Sequence, residues 1–400
     1  MPSSAEASAF RGSLLERAPF DWNHHREGRS DAAIKSRRSS PSSPGALRLA
    51  HNDDPGSTRS HNALAILALI FALAFAIAGP AFAQDKEIDL RLSLWVPPAH
   101  PLTSAAKAWA EDIAKASNGA IKITVFPSEQ LGKAFDHYDM ARDGVADITY
   151  VNPGYQPGRF PIIAIGQMPF TFGDARKGTA ALDAWYRKYA GTEMKDTHFC
   201  LAFIHDPGAL HARKKIVLPQ DLRGAKVRPA QSTIAELVTK LGGANVQASA
   251  PEAREVLERG VADAITFPWG SLYLFGIDKV VKHHIDAPLY TTVFTFSMNK
   301  DKYESMSEGQ KKVMDDHCST EWAVKIAGPW GDFEAAGRDK MRADPTHDVY
   351  KLTPDQMQAW RATVEPLKAS WAQAVKQAGA DPDAALAELN ASIAKYGAGP

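Results

Sequence analysis

The hydrophobic positions first fall into order as an alternation. In DLRLSLWV, Leu90, Leu92 and Leu94 occupy every second place, the period of a strand with one buried face. Ser104–Asn118 then carries Ala106, Trp109, Ala110 and Ile113 at helical spacing and stops at Gly119. Alternation returns at Ile121, Ile123 and Val125. Strand, helix and strand in this order predict two parallel strands joined by a crossover. The order recurs downstream. Ala225–Arg228 reads as a short strand and Thr233 with Glu236 as a capping box. Ile234, Leu237, Val238 and Leu241 form the apolar face of the helix this box opens, and Ser249-Ala-Pro-Glu252 opens another, closed by Gly260. Tyr290–Met298 reads as a strand. Beyond residue 300 the period is helical over Glu308–Lys325, Asp332–Arg342 and Pro354–Gln377, with breaks expected at Gly328-Pro329 and Asp344-Pro345.

Two of the helix-to-strand turns share a tetrapeptide. Gly144-Val-Ala-Asp147 and Gly260-Val-Ala-Asp263 each follow a helix and precede an apolar strand. The glycine suits a left-handed C-cap, and the aspartate can bond local backbone. Two similarly built α/β lobes are therefore expected. Ligands of such sheets sit beyond the carboxyl ends of the strands. That directs attention to four loops, Trp95–Thr103, Tyr150–Tyr155, Arg228–Thr233 and Thr266–Ser271.

One long apolar run, Ala63–Ala78, stands apart from these periods. At 1.5 Å per residue its 16 residues span about 24 Å, short of a bilayer core of about 30 Å. Arg59 and His61 precede it, Gly79-Pro80 breaks it, and Ala81-Phe82-Ala83 follows. That order reads as a secretory signal peptide over 61–83, cut after Ala83; the alternative is an uncleaved anchor. Either way the bulk of the chain is exported. Residues 1–60 are rich in Ser, Pro, Arg and His and cannot bury enough apolar surface to order themselves. They read as a disordered extension, or as sequence upstream of a true start near residue 60.

Composition narrows the class. Of 400 residues, 44% are apolar and 23% charged, as in ordinary globular proteins. Lys+Arg and Asp+Glu are equal at 46 each, which leaves no basic surplus for nucleic acid. Two cysteines, Cys200 and Cys318, are too few for a disulfide framework or a cysteine-rich zinc site. In an oxidising compartment they either pair or remain two buried thiols. The exported chain contains no Gly-x-Ser-x-Gly, Gly-x-Gly-x-x-Gly, P-loop, Cys-x-x-Cys or His-Glu-x-x-His. His283-His284 are adjacent and point apart on any regular element, so no metal or other cofactor is expected. His205-Asp206 has the composition of a base and its orienter, with no nucleophile tied to it. Arg228 is different. It ends a short strand, Pro229 blocks a helix there, and its fork can hold a carboxylate by two parallel bonds or serve as a surface or ion-paired arginine. The same loops offer Trp95, His100, Tyr150, Asn152, Tyr155, Phe267 and Trp269. Together these would suit an apolar or aromatic carboxylate.

From about Ile88 onward the chain resembles the periplasmic solute-binding proteins of TRAP transporters (tripartite ATP-independent periplasmic transporters). The residues that carry the resemblance are Phe126-Pro-Ser-Glu-Gln-Leu-Gly132, Asp143-Gly-Val-Ala-Asp147, Gly158-Arg-Phe-Pro161 and Met168-Pro-Phe170, followed by Leu218-Pro-Gln-Asp-Leu-Arg-Gly-Ala-Lys-Val-Arg228 and Ala250-Pro-Glu252 with Gly260-Val-Ala-Asp263. The resemblance implies a two-lobed α/β binding protein of type II-like build, with a long C-terminal helix spanning both lobes. Lobe I is then 84–207 with 293–332, and lobe II is 208–292 with 333–400. It implies a periplasmic receptor that delivers an organic acid to transporter subunits in the membrane, with Arg228 on the ligand carboxylate; a monomer is expected, since nothing exposed demands an oligomer. Two departures bear on the ligand. Some relatives carry a second arginine where this chain reads His205-Asp-Pro-Gly-Ala-Leu-His211, leaving His211 or Arg213 as substitutes. Some also carry a polar residue where Phe267 stands. One cation and one amide fewer imply an apolar or aromatic monocarboxylate. The competing readings are a secreted enzyme using His205, Asp206 or His211, and a sensor feeding a signalling partner.

Overall fold

The alternating segments pair as two separate sheets. In the computed structural model, which describes residues 86–400, β1 (Ile88–Ser93) lies between β2 (Ile121–Phe126) and β3 (Ile148–Val151), parallel to both. Its Leu90 and Leu92 are buried. The sheet is completed by β4 (Thr197–Ile204) and a returning strand, Val293–Asn299, in the order β2-β1-β3-β10-β4. The returning strand, β10, is antiparallel to both neighbours. The second sheet holds β5 (Ala209–Ala212), β6 (Lys226–Arg228), β7 (Ala244–Asn245), β8 (Ala264–Phe267), β9 (His283–Ile285) and β11 (Asp348–Tyr350). Its order is β11-β9-β5-β8-β6-β7, with β6 parallel to β7 and β8. The chain is thus a two-lobed α/β protein. The N-terminal extension, the apolar run and the cleavage position lie outside the described residues. Among those described, no helix is long and apolar enough to cross a membrane.

The repeated tetrapeptide does the same job twice. Gly144 and Gly260 sit at φ +70° and +68°, a conformation that a Cβ disfavours. Asp147 accepts from the backbone N–H of Arg91 at 2.8 Å, and Asp263 from that of Lys226 at 3.0 Å. In each sheet the turn's aspartate pins the neighbouring parallel strand and so sets where β3 and β8 begin.

Several boundaries differ from expectation. The first helix is Pro101–Ala116; it begins ahead of Ser104 because the His100 ring caps it. The helix after Arg228 is Ser232–Lys240, and its cap is Gln231, which accepts from Ile234 N–H at 3.0 Å, so the Thr233–Glu236 box does not form. Pro354–Gln377 divides into Pro354–Arg361 and Val364–Gln377. The largest departure is the helix Thr320–Ala343, which runs unbroken through Pro329. A proline inside a helix costs about 3 kcal/mol. Burial of Ala323, Ile326, Ala327, Trp330, Glu334 and Met341 along one stripe outweighs that cost. The helix packs on Pro101–Ala116, Ala175–Glu193 and β4 of the first lobe, and on Trp269–Leu274 and β11 of the second. At the second contact Gly337 meets Gly270 backbone to backbone, with room for a Cβ on neither. The two cysteines form a disulfide joining β4 to the residue before the N-cap of this helix.

Candidate functional site

Strands β3, β6 and β8 all end at one cavity between the sheets, because the crossovers bring their carboxyl ends to the same side. The cavity and its solvent-open mouth together hold about 380 Å³ of atom-free space. Arg228 ends β6 and is 1% exposed. Its Nε donates to the Ala248 carbonyl at 2.9 Å and its Nη2 to the Tyr155 hydroxyl at 3.1 Å, while the guanidinium lies 5.7 Å from the Phe267 ring centroid. No carboxylate of the described residues forms an ion pair with it, and it is the only lysine or arginine among the residues lining the cavity. Tyr155 Oη also accepts from Ala250 N–H at 2.9 Å. With two donors already on its oxygen, the hydroxyl has its own proton to give. Tyr290 lines the same cavity, and its buried hydroxyl has no hydrogen-bond partner among the described residues. An acid in this space would meet a guanidinium and two phenolic donors.

The rest of the wall is aromatic. Trp95, Phe267, Phe275, Phe294 and Trp330 line it, with Trp95 and Phe294 6.1 Å apart and Phe294 and Trp330 5.2 Å apart. Asn152 also faces the cavity, but both ends of its amide are engaged. Its Oδ1 accepts from Gly154 N–H at 2.9 Å and its Nδ2 donates to Ala230 O at 3.3 Å, which ties β3's end to β6's. His205 is spent in the same way. Its Nδ1 donates to the Asp206 carbonyl at 2.5 Å and its Nε2 accepts from Thr292 N–H at 3.1 Å. Asp206 turns away and accepts from Ala175 N–H at the start of a helix. The supposed base and orienter are therefore backbone ligands of two different segments. Burial depresses the His205 ring to about 4 and raises the Asp206 carboxyl to about 6.

Of the residues expected at the site, Arg228, Trp95, His100, Asn152, Tyr155 and Phe267 line the cavity; Tyr150, His211 and Trp269 do not. Tyr150 stacks behind Trp95 at 4.6 Å and receives the indole N–H on its carbonyl. Trp269 follows the end of β8 and starts a helix, so its ring packs edge-on against His211 at 4.9 Å, away from the space Phe267 faces. His211 lies behind Phe267 and donates from Nε2 to its carbonyl at 3.0 Å. Neither His211 nor Arg213 takes the place of a second arginine. Arg213 is exposed, and His211 is held neutral by burial, its ring pushed down to about 3.

Two polar assemblies support the wall. His211 belongs to a chain of rings whose direction is fixed at both ends. Lys282 Nζ donates to His347 Nε2 at 3.2 Å, His347 Nδ1 to His284 Nε2 at 2.8 Å, and His284 Nδ1 to His211 Nδ1 at 2.8 Å. An ammonium at one end and a carbonyl at the other allow only this set of neutral tautomers. On the opposite side Glu334 is fully buried. It accepts from Trp330 Nε1 at 2.6 Å, Gly270 N–H at 2.5 Å, Ser271 N–H at 3.1 Å and the Ser271 hydroxyl. Burial pushes this carboxyl up to about 7 against the pull of its four donors. Glu334 thereby fixes Trp330, a wall residue, to the segment carrying Ser271, another. Tyr290, Phe294 and Trp330 were not among the expected site residues. A dense run of aromatics where the chain returns between sheets, and a tryptophan beside an in-helix proline, were the available signals.

The comparisons with known proteins match the fold. The family model for bacterial extracellular solute-binding protein, family 7, matches residues 92–374. A TRAP solute binding protein from Rhodoferax ferrireducens T118, solved in complex with copurified benzoate, is 27% identical with TM-score 0.73 and covers 78% of this chain and 98% of its own. A marine metagenome TRAP solute binding protein specific for aromatic acid ligands, from an unidentified microbe, is 31% identical with TM-score 0.72, covering 78% and 99%. One from Bordetella bronchiseptica with bound (R)- and (S)-mandelate is 28% identical, TM-score 0.72, covering 77% and 99%. A two-lobed α/β chain matched over most of its described length by one family model is a member of that family: it belongs to bacterial extracellular solute-binding protein family 7.

Proposed function

We propose that the chain is the extracytoplasmic receptor of a TRAP-type transporter, capturing an aromatic monocarboxylate by lobe closure and delivering it to the membrane subunits. The observation that carries this reading is a buried guanidinium, Arg228, that forms an ion pair with no carboxylate of the described residues, inside an aromatic cavity between two sheets. A buried charge without a counter-charge is costly. A ligand carboxylate supplies that charge. Such a charge-assisted bond contributes about 1.5–3 kcal/mol, and a drier cavity strengthens it. Each well-buried ring contact adds about 1.5–3 kcal/mol, offset by ordering and association costs. With no second cation in the wall, a dicarboxylate would bury an unpaired charge. Tyr155, which follows β3 of the first sheet, reaches both Arg228 and Ala250 of the second-sheet lobe, so occupancy at Arg228 stabilises the closed arrangement. The binding of aromatic acids by the three structural relatives supports the same class.

The spent ring nitrogens of His205 argue against acid–base catalysis at this cavity. The test is a thermal-shift screen of the exported chain against benzoate, phenylacetate, succinate and glucuronate. The melting temperature should rise with ligand concentration for the two aromatic acids and stay flat for the others. Stabilisation by succinate or glucuronate alone would refute the ligand class. Chemically altered ligand recovered after release would refute the receptor role.

A further inference from the structure

The donors around Arg228 account for one end of a ligand, and the opposite wall carries one more. His100 belongs to the loop after β1 and lines the cavity at 1% exposure. Its ring sits 4.9 Å from Trp330 and 6.4 Å from Phe333, both on the long helix. Arg228, by contrast, is set among Ala248, Tyr155 and Phe267. The two groups share none of these neighbours and enter the cavity from different sheets.

The tautomer of His100 is determined by its own helix. Nδ1 accepts from the Leu102 backbone N–H at 3.1 Å, so it carries no proton, and the proton of the neutral ring is on Nε2. Burial, with His205 nearby, holds this ring down to about 3, so it stays neutral at any ordinary pH. Nε2–H is thus a fixed, uncharged donor on a ring that lines the cavity, with no acceptor among the described residues. The neighbouring His205 cannot serve, since its only lone pair is taken by Thr292 N–H. Such a donor is left unpaired when a ligand that brings no acceptor closes the cavity over it, so it favours a ligand that brings one. A second carboxylate is a poor partner, because an uncharged donor does not offset its charge. A hydroxyl, ether or keto oxygen fits.

We propose that His100 reads an oxygen substituent at the end of the ligand away from its carboxylate, so that the preferred cargo is an oxygenated aromatic monocarboxylate. The inference rests on the aromatic-acid reading above and deepens it, since Arg228 and His100 would grip the two ends of one molecule from opposite lobes.

The test compares hydroxyl with methyl at the same ring position, which holds size nearly constant. Calorimetry of the exported chain would be run with 3-hydroxy- and 3-methylbenzoate and with 4-hydroxy- and 4-methylbenzoate. At one of the two positions the hydroxy acid should bind about three- to tenfold more tightly than its methyl analogue, as one neutral hydrogen bond allows. In His100→Phe and His100→Asn that ratio should collapse to about one or below. The asparagine variant keeps an N-cap acceptor for Leu102, so it serves if the phenylalanine variant misfolds. A ratio near one at both positions in the parent, or an unchanged ratio in the variants, overturns the role of His100 and leaves the carboxylate reading standing. Failure of the parent to bind any of the four acids overturns the carboxylate reading and this inference with it.

Discussion

Replacing Arg228 by methionine should separate two energies that usually move together. In the ligand-free protein the guanidinium is buried with only a carbonyl and a hydroxyl for company. Removing it relieves an unpaired buried charge, and exchange of buried ionic groups for apolar ones of similar volume is often neutral or stabilising by about 1–4 kcal/mol. Against this stands the Ala248 carbonyl, which loses its donor at a cost of about 1–3 kcal/mol. Tyr155 Oη keeps its bond from Ala250 N–H. The terms nearly cancel, so the ligand-free melting temperature of Arg228→Met should stay within a few degrees of the parent. Binding should not survive in the same way. The ligand carboxylate would be buried unpaired, a loss of about 3–5 kcal/mol, or roughly two to nearly four orders of magnitude in affinity. Calorimetry with benzoate measures the second quantity and a thermal melt the first. Parent-like affinity in the variant would remove Arg228 from the site. A collapse of the ligand-free fold would show instead that the guanidinium is a structural group whose partners are worth more than its desolvation.

Four further outcomes follow from the same geometry. Tyr155→Phe removes one donor to the ligand and two hydrogen bonds between lobes, and should weaken benzoate about ten- to 150-fold in a titration, as a hydrogen bond to a charged group implies; an unchanged affinity would mean that the phenolic proton points elsewhere. The Cys200–Cys318 disulfide spans a sequence separation of 118 residues, and the chain-entropy treatment gives about 5 kcal/mol for such a loop, so the Cys200→Ala/Cys318→Ala variant should unfold at markedly lower urea, and an unshifted midpoint would refute this. Stability should fall as pH drops below about 6.5. The buried rings of His100, His137, His205, His211 and His284 are depressed chiefly by burial and stay neutral when folded, whereas the unfolded chain takes up protons there. Glu193 and Glu334, raised to about 7, and Asp206, raised to about 6, oppose this by holding protons when folded, but they are fewer; a urea midpoint that rises from pH 7 to pH 5 would reverse the sign. Pro329→Ala restores an N–H to the long helix and should stiffen it, slowing ligand release in stopped-flow fluorescence; faster release would refute a hinge there.

Local periodicity made much of this fold legible. The alternation of Leu90, Leu92 and Leu94 and the twin glycine-to-aspartate turns are short-range patterns, and they mark β1, β3 and β8. Arg228 stood out because a strand end, a following proline and a helix start coincide there. What stayed hidden depends on contacts between distant segments. Whether Phe267 or Trp269 faces the cavity turns on where β8 stops and the next helix begins, a difference of two residues that sends the rings to opposite sides. The histidine chain joins β5, β9 and the segment before β11, and no local rule brings those together. The uninterrupted helix through Pro329 reflects tertiary burial overriding a breaker, and the Trp330 it carries into the wall was lost with it. The cysteine pairing was open for the same reason.

The long helix also sets how the two halves can part. Its beginning is moored to the first lobe by the neighbouring Cys318 sulfur. Its later turns are fastened to the second, where Glu334 holds Gly270 and Ser271 and where Arg338 and Arg342 both clasp the buried Asp286. A beam held at both ends cannot swing; it has to flex. The one rung missing from its ladder is opposite Pro329, next door to the indole of Trp330 that frames the cargo space. Entry and exit of a guest are thereby geared to the compliance of a single helical turn, and the spring sits beside the load it feels.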